Sequence, residues 1–162
     1  MRDPDVGETE ELLQLHAWLE ERTSLGPVAV VSGKNGDMDT VGSAIALAAT
    51  HPNMMACGVH VGRTAQRYVE RHQAPFRTLN AGAPAWPKRL AGIVVVDAAA
   101  PDQTGLSLPD VPLCIVDHHA TDSWNLGDGD LCLKWDVRST TEVVSMYLSL
   151  IHISEPTRPA LI

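Results

Sequence analysis

A three-layer α/β fold with a mainly parallel sheet is predicted by three features of the sequence. Short apolar runs alternate with segments of helical periodicity. The strongest runs, such as Ile93 to Val96, are apolar throughout, as strands covered on both faces are. Three of the runs lead into clusters of Asp or His, which places polar groups at a strand's carboxyl end, the edge where open parallel sheets bind ligands.

The elements follow in order. Glu8 to Arg22 carries Leu12, Leu13, Leu15, Trp18 and Leu19 at mixed three- and four-residue spacing with Glu opposite, an amphipathic helix ahead of the sheet. Val28 to Ser32 is the first strand, and Thr40 to Ala49 a helix rich in Ala, Ile and Leu, ended by His51-Pro52-Asn53. Met54 to Val61 is expected as the second strand and Thr64 to His72 as a short helix. Residues 74–89 are rich in Pro, Gly and Ala and read as loop, with a short strand near Phe76 to Leu79. Ile93 to Val96, Leu113 to Val116 and Leu131 to Trp135 complete the strands, and Thr140 to Tyr147 begins a helix. There is no internal repeat or low-complexity tract.

At 162 residues the chain is one domain's worth, long enough to bury a core. A formal net charge of −8 argues against broad binding to a nucleic-acid backbone, which needs a basic surface. A small phosphorylated substrate stays compatible, because a bound cation reverses the local field. Cys57, Cys114 and Cys132 form no close Cys-x-x-Cys pair and read as reduced, buried thiols. The N-terminus is acidic and polar, and no apolar run reaches the ~20 residues a membrane span needs, so a cytoplasmic protein is expected.

The chemistry lies in the three clusters. Asp37 and Asp39 sit two apart on a turn opening a helix, between Gly36 and Gly42, which let the backbone approach closely. Alone, that pair reads as a capping turn sooner than as a site. Asp97 ends the run Ile93 to Val96, and Asp117-His118-His119 ends the run from Leu113. Adjacent imidazoles after a buried strand are uncommon. Together, these acids on one edge would repel one another without a cation between them, which points to divalent metal, two ions being expected.

In order, strand context and spacing, these motifs resemble the DHH phosphoesterase superfamily over roughly residues 27–147, and Ser139-Thr140-Thr141-Glu142 resembles the helix start that follows its name motif. The resemblance implies a Rossmann-like domain that hydrolyses phosphomonoester or phosphodiester bonds in nucleotides or short oligonucleotides. By it, Asp37 would bind a first metal ion and Asp39 a second, with Asp97 bridging them and His118 ligating the second. His119 would contact the substrate phosphate, and Asp117 would orient the imidazoles from behind. A mixed carboxylate and imidazole set suits Mn²⁺ or Mg²⁺, with Zn²⁺ or Co²⁺ also accommodated.

Two departures from the family pattern stand out. The His expected four residues before Asp37 is replaced by Gly33, which cannot ligate. The fourth motif, an Asp completing the second ion's shell, and the substrate-gripping C-terminal domain would lie beyond this chain, leaving residues 1–147 as an incomplete, truncated domain inactive by itself. Gly33 supports a competing reading: a catalytically degenerate module that binds a nucleotide or a partner. Residues 148–162 resemble a translated sequencing adapter and are expected to be a non-native tail. His16, Trp18 and His60 read as packing or strand residues, Arg63, Arg67 and Arg71 as a solvated helix face, and Asp128 and Asp130 as turn formers. Asp102 and Gln103 lie on a loop just past Asp97.

Overall fold

The computed structural model describes residues 2–120 and 123–154, with no side-chain detail for 153 and 154. Six strands form one all-parallel sheet: β1 Val28–Ser32, β2 Met54–Gly58, β3 Arg77–Thr78, β4 Gly92–Val96, β5 Leu113–Asp117 and β6 Leu131–Lys134. Their spatial order is β3-β2-β1-β4-β5-β6. The chain moves outward from β1 to β3, returns to β4 on the other side of β1, and moves outward again. The order therefore reverses between β1 and β4, and a crevice opens at their carboxyl ends.

Among the described residues four α-helices accompany the sheet: α1 Val6–Leu25, α2 Met38–Ala48, α3 Arg63–His72 and α4 Thr140–Ser154. Asp5 caps α1 with its side chain on the Glu8 N–H, while Glu8 returns the bond to Asp5, so the helix starts earlier than its apolar pattern alone predicts. Leu12, Leu15 and Leu19 of α1 pack with α2, α4 and the strand residues Val30, Val94, Cys114 and Val116 into the larger core. Each of these leucines is essentially excluded from solvent, worth ~1.5–3 kcal/mol apiece. Ala29, Val31, Ile93, Val95 and Ile115 point to the opposite face and are covered by Leu79, Trp86, Leu90, Leu106, Leu108, Trp124 and Leu126. The third layer is thus built of loop crossovers and one 3₁₀ turn, Pro101–Thr104, rather than of long helices. Right-handed crossovers explain the division, since reversing direction at β4 sends the later connections to the other face.

Met54 to Val61 was expected as one strand, but β2 stops at Gly58. The chain there bends so that the Gly62 N–H reaches the Gly36 carbonyl at 2.7 Å, and the two turns press together. A Cβ at Gly36, whose φ is +64°, would lie 2.4 Å from the His60 carbonyl oxygen, so this contact requires glycine. His60 is consequently an exposed turn residue and not a half-buried strand residue. Asp130 accepts from the backbone N–H groups of Leu113 and Gly127, as a turn former does. Cys57 and Cys114 are free thiols and buried, whereas Cys132 is only half-buried. Burial pushes the Cys57 thiol up to about 12.

Helix α4 continues without a break through residues 148–154, the first part of the expected adapter-derived tail; residues 155–162 lie outside the described ones. Val143, Val144 and Tyr147 face inward, so position 151 is the next inward place on the helix, and Ile151 is buried there.

Candidate metal centre at the carboxyl edge

Asp97 sits at the centre of the crevice. Its φ of +61° turns the chain sharply out of β4, while its N–H still donates to the Val116 carbonyl at 2.9 Å. The side chain is buried, and its Oδ1 lies 3.2 Å from both the Thr140 hydroxyl and His118 Nε2. Burial first, then the charges of Asp39 and Asp37, push its carboxyl up to about 7, against the opposing pull of His118 and His119. That is the signature of a carboxylate crowd short of positive charge.

His118 is half-buried, and its Nδ1 lies 3.2 Å from the Val137 carbonyl oxygen. A carbonyl only accepts, so Nδ1 carries the proton and the Nε2 lone pair faces Asp97 at 3.2 Å and Asp39 at 3.7 Å. A lone pair held against two carboxylates is stable only with a proton or a cation among them. His119 stacks beside His118 with ring centroids 4.7 Å apart, and its Nδ1 meets Asp117 Oδ1 at 2.5 Å. Asp117 is buried, and its second oxygen has no hydrogen-bond partner. Imidazoles tied down through one nitrogen present the other in a fixed direction, the arrangement that supports metal ligation.

Asp39 is shared with a helix. Its Oδ1 accepts from the Thr141 N–H at 2.9 Å and the Thr141 hydroxyl at 2.6 Å, and its Oδ2 from the Thr140 N–H at 3.1 Å. Burial works against its ionised form, but these donors outweigh it and hold the carboxyl below the usual range. Asp37 stands at the exposed rim as the N-cap of α2, accepting from the Thr40 N–H at 3.0 Å. The Thr40 hydroxyl in turn accepts from the Gly33 N–H at 2.6 Å and donates to the Val96 carbonyl at 3.3 Å, which pins the ends of β1 and β4 together under the site. Gly33 itself is buried beside Asp97: a Cβ there would come 3.1 Å from the Asp97 carbonyl oxygen.

Ligand atoms of Asp97, His118 and His119 lie within 4.8 Å of one another, close enough to share one ion. His119, read as a substrate contact, therefore also stands within ligating reach. Asp39 adjoins this group through His118, and Asp37 acts on it through its charge. The residues fit a divalent cation in donor chemistry, in the direction of the free Nε2 and in their uncompensated charge. A cleft of about 360 Å³ opens beside His118 and His119, lined also by Ala120, Lys134, Trp135 and Asp136. A larger hollow of about 830 Å³ lies among the loops on the other face, and its lining includes neither imidazole of the name motif.

Thr40, Thr140 and Thr141 are the site residues that single-motif reading overlooks. Thr140 and Thr141 carry a local signal, hydroxyl residues just ahead of an apolar helical run, but nothing local ties them to Asp39. Gln103 holds loops together, its carbonyl accepting from the Lys34 N–H at 2.7 Å and its side chain from the Ala99 N–H at 2.8 Å.

Among the described residues no helix is long and apolar enough to cross a membrane. A search of curated proteins gives no match. The sequence pattern of the DHH family's N-terminal domain matches residues 27–160, a span that takes in β1 and all three acidic motifs. With most of its length inside that match and its acids and imidazoles gathered at the switch point of a parallel sheet, the chain belongs to the DHH family.

Proposed function

We propose that this domain serves a metal-dependent phosphoesterase acting on phosphomonoester or phosphodiester bonds in nucleotides or short oligonucleotides. The observation that carries the reading is the meeting of Asp97, His118 and His119 at the carboxyl edge, with Asp39 alongside. Asp97, His118 and Asp39 would hold the metal, with Asp37 at the rim. Mn²⁺ or Mg²⁺, two ions in the complete protein, would supply charge neutralisation at phosphorus and a water acidified to hydroxide near neutral pH. The chain's own residues supply order. The Val137 carbonyl fixes the His118 tautomer, and Asp117 aims His119 across the cleft where a phosphate oxygen would lie. Thr140 holds the Asp97 carboxylate. The free thiols of Cys57 and Cys114 are in keeping with a reducing, cytoplasmic setting.

Gly33 supports a second reading, a module that binds nucleotide or partner without turnover, because the buried position beside Asp97 carries no ligand. Two measurements separate them. Calorimetric titration of this chain with Mn²⁺ reports whether the site loads. The product of the complete gene, given Mn²⁺, should cleave a chromogenic phosphodiester or phosphoadenosine phosphate, and Asp97→Ala should abolish cleavage. Absent Mn²⁺ binding, or cleavage indifferent to Asp97, favours the module.

A further inference from the structure

The chain is acidic, yet its charge is unevenly placed. Between Asp39 and Asp97 the only acidic residue is Glu70, while the same stretch holds Arg63, Arg67, Arg71, Arg77, Lys88 and Arg89. Three of these cations, Arg63, Arg67 and Arg71, recur every fourth residue along α3 and are all exposed. Glu70 takes its hydrogen bond from Gln66 at 2.8 Å, and among the described residues no acid forms an ion pair with the three arginines. A solvated helix face in a soluble protein ordinarily intersperses its signs; this one does not.

The row also begins beside the metal centre. Gly62, the N-cap of α3, donates to the carbonyl of Gly36, the residue immediately before Asp37. From there the arginines lead away over ~12 Å, given the helical rise of 1.5 Å per residue. Next to them on the same helix, Tyr68 is 40% exposed, and its ring lies 4.6 Å from that of His72. A line of unpaired cations flanked by exposed rings matches an extended single strand, whose phosphates pair with the arginines and whose bases stack on the aromatics.

We propose that α3 is a binding track for single-stranded nucleic acid, with Arg63, Arg67 and Arg71 on successive phosphates and Tyr68 with His72 as the stacking platform, leading the strand's end to the carboxyl edge. The inference rests on the phosphoesterase reading for its direction and extends it by selecting oligonucleotides over mononucleotides. It also refines the expectation drawn from net charge. Repulsion from the acidic remainder forbids broad coating by a polyanion but leaves one narrow attractive line, so binding is strong only at low salt.

The test is fluorescence anisotropy of this chain with a labelled oligothymidylate about a dozen nucleotides long, in chelator, across a range of salt. The unchanged chain should bind at low salt. The triple variant R63Q/R67Q/R71Q should bind more weakly and lower the steepness of the log affinity against log salt plot by about 2, at about 0.7 per single-strand phosphate contact. Tyr68→Ala should weaken binding about tenfold with the steepness unchanged. K88Q/R89Q, which removes two cations near the opposite edge, should match the unchanged chain. Thermal melting verifies that each variant is folded, as expected for exposed positions. No oligothymidylate binding by the unchanged chain, a steepness unmoved by the triple variant, or arginine-dependent binding confined to phosphatidylserine vesicles overturns the proposal. Because chelator is present throughout, oligothymidylate binding without any metal-dependent cleavage in the complete protein would sink the phosphoesterase reading and leave this one standing.

Discussion

Replacing Asp97 with Asn should make the metal-free protein more stable, and the size of the gain follows from the site. A carboxyl raised from its usual value to about 7 binds a proton more tightly in the folded chain than in the unfolded one. Stability then falls as pH climbs from about 4 to about 7 and stays low above that range. The full cost of the ionised form is on the order of 4 kcal/mol, and relaxation with water entry brings a realistic figure to about 2 kcal/mol. With its amide nitrogen in the place of Oδ1, Asn offers one N–H to His118 Nε2 and the other to the Thr140 hydroxyl oxygen, so the substitution leaves the lone pair of His118 satisfied. For a chain of this size the gain is about 4–8 °C in Tm. The assay is thermal unfolding followed by circular dichroism at about pH 8 and about pH 4, in chelator and then in Mn²⁺. D97N should melt higher at the upper pH and level with its parent at the lower. Mn²⁺ should reverse the order, since an ion at a hundred times its Kd stabilises the parent by about 2.7 kcal/mol and the variant far less. A variant melting at or below its parent in chelator at the upper pH would refute the claim that Asp97 is held ionised at a cost.

Other substitutions probe the surroundings. Asp39→Ala removes three bonds to the start of α4 and should lower Tm by about 3–6 °C near neutral pH. The Asp39 carboxyl is held below its usual range, so this stabilisation is present above about pH 4 and drains away as pH falls further; equal melting of variant and parent at neutral pH counts against the cap. Gly33→His must fit a Cβ 3.1 Å from the Asp97 carbonyl oxygen, which should cost about 1 kcal/mol without metal while tightening Mn²⁺ binding in calorimetry. Unchanged Mn²⁺ affinity would mean that the missing imidazole is not the limiting defect. A second, independent reading of the gene should depart from this sequence after Tyr147; one that continues through Ser149 to Arg158 removes the adapter explanation.

The strands were legible because runs such as Ile93 to Val96 are buried on both faces and therefore apolar at every position. Their ends were less so. β2 stops at Gly58 for the sake of a turn-to-turn contact with Gly36, which no local pattern announces. The sheet order was also out of reach, since it depends on which way each crossover travels. At the site, strand-end position alone brought Asp97 and Asp117-His118-His119 to one edge. The second duty of Asp39 could not be read, because its partners Thr140 and Thr141 lie about a hundred residues away and meet it only when α4 folds back beside α2. Covering of the second face by the Pro- and Gly-rich segment was likewise hidden, since loop composition says where a chain turns and not what it shelters.

The left-handed backbone at Asp97 has a separate consequence for how variation at this position will sort. Asn, Asp and Gly tolerate that conformation, whereas Ala pays ~1 kcal/mol for it regardless of any chemistry. Selection for folding alone would accordingly enrich Asn or Gly here and leave Ala last, while selection for the proposed hydrolysis would keep only Asp. A library sorted first on expression and then on turnover should show the two rankings in opposition at this one codon, with the sturdiest proteins among the dead ones.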